Sequence, residues 1–351
     1  MTNRQHVAID NHPLSVGNGS HTDCDAADAV QSIADGPAVQ SVALSPAVQL
    51  ATTSSLPLSV ARFLRVSTAP ATRRAYQGDV SDFLKWGGRV PCDSMMLARY
   101  IAERADCHRP STVARRVVGI GRAHVAYGLP DPSKDELVRA VLRGVRRELG
   151  TAQRRAAPLL RDDLLAVLER LPADLRGVRD RALLLLGFAG GLRRSEIVQL
   201  DADDLSYVPD GMNVRLRHSK TDQDGAGRTI AGPYGRTAAC PVRAVRDWLD
   251  VSQIQVGPVF RGIGRCGVVS ASRLSDQVVS LVVKAQMAAL GRAPDAYSGH
   301  SLRAGFVTSA AQAGAGYLMI QQQTGHRSVA MLNRYVRVAN LFEGNAAGVL
   351  L

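Results

Sequence analysis

His300-Ser301-Leu302-Arg303, then Gly325-His326, then Tyr335: these pieces near the C-terminus decide how the chain is read. Two imidazoles, a guanidinium and a phenol fall within one short stretch. Upstream, Gly191-Leu192-Arg193-Arg194-Ser195-Glu196-Ile197 adds a further guanidinium. A phenol among cations points to chemistry on a phosphodiester. Tyrosine is a weak nucleophile near neutral pH, because its ordinary pKa is about 10. Neighbouring arginines and histidines can orient its attack and stabilise the charge that develops. Taken singly, each residue also has a plain structural reading. Arg193 and Glu196, three apart, make an ordinary helix pair. Arg194 reads as a surface ion-pair residue. His300 and His326 can each be satisfied structural histidines, and Tyr297 and Tyr317 compete with Tyr335 as the phenol.

At 351 residues the chain has room for two domains with separate cores, and 46% hydrophobic residues give a globular composition. Lys and Arg total 43 against 31 Asp and Glu, a formal charge of +12. The charge is unevenly placed. Residues 1–61 hold Arg4 against Asp10, Asp23, Asp25, Asp28 and Asp35, so the remainder is more basic than the whole. A body of that sign favours a polyanion, nucleic acid first. Cys24, Cys92, Cys107, Cys240 and Cys266 are widely spaced with no C-x-x-C pair. This pattern suggests reduced thiols in a cytoplasmic protein rather than a disulfide frame or zinc site. The longest apolar run, around Ala182-Leu183-Leu184-Leu185-Leu186, is too short to span a bilayer, and with no basic start followed by an apolar segment a secretory signal is not expected.

Residues 1–55 contain no aromatic side chain and read as a disordered segment. Residues 56–150 read as all-helical. Pro70-Ala71-Thr72 opens a helix with Tyr76, Val80, Phe83 and Leu84 inward, and Ser111-Thr112 caps a second. Val113, Val117, Ile120, His124 and Tyr127 form its inward stripe. A third helix is expected from Lys134 to Leu149, with Arg139, Arg143 and Arg146 as a basic ridge. Residues 151–158 read as a linker ending in Pro158. Residues 159–351 read as a second, mainly helical domain. Its helices are expected near Arg161, over Arg179–Ala189, Pro241–Val251, Leu274–Leu290, Ser301–Ala313 and Leu318–Thr324. Met212–Arg217 alternates like a strand, Gly225-Ala226-Gly227 turns the chain, and Arg228-Thr229-Ile230 returns it. Lys220 then lies on or beside a hairpin turn.

In order and interval these residues resemble the tyrosine recombinases, the lambda-integrase family, from about Val60 to the C-terminus. Gly191-Leu192-Arg193 with Glu196 resembles the first signature box of that family. Lys220 resembles its hairpin lysine, and His300-x-x-Arg303, Gly325-His326 and Tyr335 resemble the second box. Thr72-Arg73-Arg74-Ala75-Tyr76 through Phe83 and Trp86, then His124-x-x-x-Gly128-Leu129-Pro130, resembles the N-terminal half of the simple recombinases in the family.

The resemblance implies a mainly α fold. A helical, SAM-like core-DNA-binding bundle would precede an α+β catalytic domain with a small β-sheet, the two forming a C-shaped clamp on DNA. It implies that Arg193 and Arg303 grip the scissile phosphate while Tyr335 attacks phosphorus to give a 3′-phosphotyrosine. Lys220 would protonate the departing 5′-oxygen. His300 would assist proton transfer or support the phosphate, His326 would hydrogen-bond the phosphate, and Glu196 would orient His300 or an arginine. No metal and no other cofactor is implied, since side-chain cations serve and the phosphotyrosine bond keeps the energy for rejoining. By the same resemblance Gln277, with Ser280 on its face, falls where a catalytic-domain helix enters the major groove, and glutamine can pair with adenine. Arg74, Arg115 and Arg116 fall on DNA-facing helix positions, while Arg154, Arg155 and Lys284 are further candidates for phosphate contact.

The implied partner is double-stranded DNA carrying inverted repeats, bound by a homotetramer that exchanges strands through a Holliday junction. The tail bearing Val338, Leu341, Phe342, Ala346, Val349 and Leu350 either folds back in cis or docks on a neighbouring subunit; the family favours the exchange. No membrane role is expected. Dimer resolution and mobile-element integration share this chemistry. A type IB topoisomerase and a non-catalytic DNA-binding protein on the same scaffold are the rival readings.

Overall fold

The computed structural model describes residues 62–63, 67–151, 155–217, 227–326, 328 and 332. The expectations for residues 1–55, Arg154, Lys220, Tyr335 and the C-terminal tail lie outside these. The chain divides into two compact units, Met1–Gln153 and Arg154–Leu351.

The first unit is built from α1 (Pro70–Lys85), α2 (Ser94–Ala105), α3 (Pro110–Ala126) and α4 (Glu136–Leu149). Proline opens α1 and α3, a position where its missing N–H and fixed φ suit a helix start. Ser111 and Thr112 therefore sit inside the first turn of α3 rather than capping it. Asp135 caps α4 by accepting from the Leu137 N–H at 2.9 Å, so that helix begins at Glu136 while Lys134 closes a separate 3₁₀ turn. Helix α2, which the sequence reading passes over, is capped by Asp93 and buries Leu97, Tyr100 and Ile101. These pack with Phe83, Val113, Val117, Ile120 and Val138 into one core. His124 is buried there with both ring nitrogens engaged. Nδ1 meets the Ile120 carbonyl and Nε2 accepts from the Cys92 N–H, each at 2.9 Å.

The second unit runs α5 (Arg161–Arg170), α6 (Leu175–Ala189), α7 (Arg194–Gln199), β1 (Leu205–Val208), β2 (Gly211–Leu216), β3 (Arg228–Pro233) and α8 (Pro241–Ser252). Then follow β4 (Arg261–Ile263), β5 (Val269–Arg273), α9 (Asp276–Ala289), α10 (His300–Gln312) and α11 (Tyr317–Thr324). Strands β1, β2 and β3 form an antiparallel sheet in that order, with Leu216 paired to Arg228 at the mouth of the hairpin. Strands β4 and β5 pair separately. Helix α6 starts earlier than its apolar run, because Asp174 caps it through the Gly177 N–H. Ala182 to Leu186 are all buried, and this central rod packs with Trp248, Phe260 and Leu302. The Trp248 indole N–H donates to the Val259 carbonyl at 2.8 Å, satisfying its one polar atom inside the core. The mainly helical composition with small antiparallel sheets agrees with the expected fold class.

Helix α10 approaches the incoming chain at backbone distance. A Cβ on Gly305 would lie 1.6 Å from the Leu159 carbonyl oxygen. Gly305→Ala is therefore expected to destabilise the protein by about 3 kcal/mol in chemical unfolding, the upper range of overpacking costs. Gly144, mid-helix in α4 with nothing within 4 Å of where a Cβ would stand, makes the matching control. Gly144→Ala should stabilise by about 0.5–1 kcal/mol.

Candidate active site

At the end of α6 the chain turns through Gly190 and Gly191. Gly191 adopts φ +54, and a Cβ there would approach Thr324 Cγ2 to 2.7 Å, so the turn takes only glycine without strain. The turn delivers Arg193 to the N-cap of α7 with Glu196 in the first helical turn. Glu196 is 2% exposed, and its carboxylate accepts from the Arg193 backbone N–H at 2.9 Å and from the Arg193 guanidinium at 2.5 Å. A carboxylate at a helix N-terminus is further favoured by the helix dipole. Its second oxygen lies 3.7 Å from Nη2 of Arg228, the first residue of β3.

Arg303 sits in α10 at 1% exposure, and its Nη1 donates to the Gly191 carbonyl at 2.6 Å. The guanidinium of one box thus braces the turn that presents the other. His300, the first residue of α10, has an open edge to solvent, and its backbone N–H donates to Ser298 Oγ at 3.2 Å. Partial burial, then the charges of Arg303 and Arg193, hold its imidazole below the usual histidine range. His326 follows Gly325, whose φ of +66 ends α11 and whose missing Cβ leaves room for the Arg228 guanidinium. Burial first, then Arg303, Arg193, His300 and Arg228, push the His326 pKa down to about 3. Arg228 itself is half-buried and donates to the Gln323 carbonyl at 2.8 Å, with burial and Arg193 lowering its pKa.

The structure therefore brings Arg193, Glu196, His300, Arg303 and His326 to one place, although they come from three separated segments. Chemically, this is a concentration of forked cations beside imidazoles that are neutral at ordinary pH. Such a set suits an anionic phosphodiester and leaves the histidines able to take up a proton. Two contributors escape the sequence reading. Arg228 shows there only as part of a returning strand, and Thr324, whose hydroxyl lies 2.7 Å from His326 Nδ1, carries no pattern at all. Of the competing phenols, Tyr297 packs against the core and Tyr317 is exposed at the start of α11. Among the described residues no cluster of His, Cys, Asp and Glu is arranged to hold a metal ion, and no helix is long and apolar enough to cross a membrane.

The remaining candidates differ in availability. Arg74 and Arg155 are exposed, as is Gln277 in the first turn of α9. Arg115 is half exposed but paired to buried Asp79 at 2.6 Å, and Arg116 is largely buried against Asp82 at 2.8 Å. Asp82 also takes the Tyr100 hydroxyl and Arg104, so Arg116 belongs to an internal network. Lys284 pairs with Asp295 at 3.2 Å. Arg194 pairs with Asp276, in keeping with its surface reading, and Ser280 accepts from the Gly299 N–H.

Residues 159–341 match the model of the Phage integrase family. The chain is 41% identical over 301 residues to an integrase/recombinase XerD homolog of Selenomonas ruminantium, covering 83% of this chain and 88% of that protein. It is 26% identical over 273 residues to the recombinase Cre of Escherichia phage P1, covering 72% and 77%. A solved structure of the XerH site-specific recombinase, bound to a palindromic difH substrate after cleavage, shares the fold. Its TM-score is 0.58 at 16% identity, covering 79% of both chains. With a family match over more than half its length and a close relative along most of it, the chain belongs to the phage integrase family, the tyrosine recombinases that cleave and rejoin DNA.

Proposed function

We propose that the protein is a site-specific DNA recombinase working through a 3′-phosphotyrosine at Tyr335. The observation that carries this reading is the convergence of Arg193 and Arg303 on His300 and His326, with Arg303 also bonded to the turn that presents Arg193. Arg193 and Arg303 hold the nonbridging oxygens of the scissile phosphate and stabilise the charge of the pentacoordinate transition state. Tyr335 Oη bonds to phosphorus while the bond to the 5′-oxygen breaks. The phenol proton passes to His300, whose depressed pKa keeps it neutral and ready to accept, and Lys220 protonates the departing oxygen. Glu196 fixes Arg193 at both its backbone and its side chain. Rejoining is the reverse displacement, so no outside energy source enters.

The target is double-stranded DNA. That the XerH structure holds a palindromic substrate supports a site of inverted repeats. Two protomers occupy each site, and two sites synapse as a homotetramer that resolves a Holliday junction, with the C-terminal tail docking in trans. Arg74, Arg155 and Gln277, exposed on their helices and linker, are the better placed of the DNA-contact candidates. Arg154 belongs with them by position, whereas Arg115, Arg116 and Lys284 must leave carboxylate partners to reach a phosphate. A role in dimer resolution and one in moving a genetic element both follow from this chemistry.

Incubation with a nicked suicide substrate, carrying a site selected from random DNA, should give a covalent adduct on a denaturing gel. Tyr335→Phe should abolish the adduct and leave binding intact. Arg193→Ala and Arg303→Ala should each slow cleavage roughly 10²–10³-fold. An adduct surviving in Tyr335→Phe would move the nucleophile elsewhere. Relaxation of supercoils on DNA lacking any selected site would instead support the topoisomerase reading, and binding with no adduct the non-catalytic one.

Affinity for the site should fall steeply with salt, about 10³-fold or more between 50 and 200 mM, as phosphate neutralisation releases counterions. An affinity indifferent to salt would contradict the DNA partner. Deleting the residues after Ala339 should impair pairing of two sites more than binding of one, as read by native gel; undiminished pairing would remove tail exchange.

A further inference from the structure

Thr324 is the last residue of α11 and is fully buried. Its hydroxyl oxygen lies 2.6 Å from the Ile320 carbonyl and 2.7 Å from Nδ1 of His326. A hydroxyl has one proton to give, and a carbonyl oxygen can only accept. At 2.6 Å the two oxygens need that proton between them, so Thr324 donates to Ile320. The contact with His326 must then run the other way, with Nδ1–H donating to the Thr324 oxygen. In a neutral imidazole this leaves Nε2 as the acceptor.

The backbone that carries the ring is held in place. The Gln321 side-chain amide donates to the His326 carbonyl at 2.8 Å, and Gly325 ends the helix immediately before it. Among the described residues, the charged and titratable groups acting on the ring are Arg193 at the start of α7, Arg228 in β3, and His300 and Arg303 in α10. Glu196 lies behind Arg193 and Arg228. A lone pair is comfortable among guanidiniums. A phosphate oxygen arriving among the same guanidiniums is not comfortable beside a lone pair, since two acceptors meet with no proton between them.

We propose that Thr324 is a positioning residue that fixes His326 as its Nδ1–H tautomer, so that His326 grips the scissile phosphate only after Nε2 has taken up a proton from solvent. This rests on the reading of the site as a phosphate-binding centre and adds a proton requirement to it. Nε2 gains one proton, the ring becomes an imidazolium, and both ring N–H groups then donate, one to Thr324 and one to the phosphate. The low pKa of the ring in the free protein agrees with a neutral starting state, and the arriving anion raises it. The sign follows. The competent form is protonated, so the contribution of His326 to cleavage is present at lower pH and is lost as pH rises through the pKa of the complex.

The test is ¹⁵N NMR of the full chain labelled in its histidine rings, with His326 identified by the signals missing in His326→Gln. In the free protein near neutral pH, Nδ1 should show the protonated shift and Nε2 the unprotonated one. Adding the uncleaved site to Tyr335→Phe protein should bring both nitrogens to the protonated shift. In suicide-substrate cleavage, the wild-type rate should fall as pH rises, by up to about tenfold per unit. Thr324→Val, which lets neutral His326 carry its proton on Nε2, should flatten that limb, and Thr324→Ser should restore it. A protonated Nε2 in the free wild-type protein would overturn the proposal alone, as would a Thr324→Val pH profile identical to wild type. His326 signals unmoved by DNA, together with wild-type cleavage by His326→Gln, would remove the phosphate site itself and the proposal with it.

Discussion

The grip of the Glu196 carboxylate on Arg193, with Arg228 close by, is the interaction around which the site is organised. Gathering guanidiniums in a half-buried place is unfavourable, because each loses hydration and repels the others. Burial and mutual repulsion lower the pKa values of Arg228, His300 and His326 together. Among the described residues, the buried Glu196 carboxylate answers part of that charge, and their balance stays positive. A protein that holds such a concentration in its folded state is preorganised for an anion, and a phosphodiester passing to a pentacoordinate state supplies more negative charge as it reacts.

The scaffold makes this arrangement stiff. Arg303 braces the carbonyl of Gly191, and Gly191 in turn sits against Thr324, so α6, α10 and α11 meet at a single turn. Arg228 then links β3 to the carbonyls that end α11. The packed rod of α6 behind these contacts leaves little room for adjustment, since interiors at close-packed density transmit small shifts rather than absorb them. The β2–β3 pair is joined to the same cluster through Arg228, the first residue of β3.

Much of this is legible in the sequence because the informative residues are chemically loud. His300-x-x-Arg303, Gly325-His326 and Tyr335 stand in a fixed order, and the inward stripe Val113, Val117, Ile120, His124 repeats at helical spacing. Helix α2 escapes notice because its buried face, Leu97, Tyr100 and Ile101, spans little more than one turn, and β4 and β5 are too short to show alternation. Arg115 and Arg116 read as basic surface, yet their partners Asp79 and Asp82 lie on another helix, and long-range pairing has no one-dimensional signature. Arg228 and Thr324 are invisible for a related reason. Each matters through a single contact made by the fold, and a lone arginine or threonine carries no period.

The central claim is that these cations serve a phenol that becomes esterified to a broken DNA strand. The most direct measurement is mass spectrometry of protease-digested protein–DNA adduct trapped on a suicide substrate. The account requires the nucleotide-bearing peptide to carry its modification at Tyr335. Linkage at Tyr297, Tyr317 or any other residue, or no linked peptide from a cognate site, would contradict it.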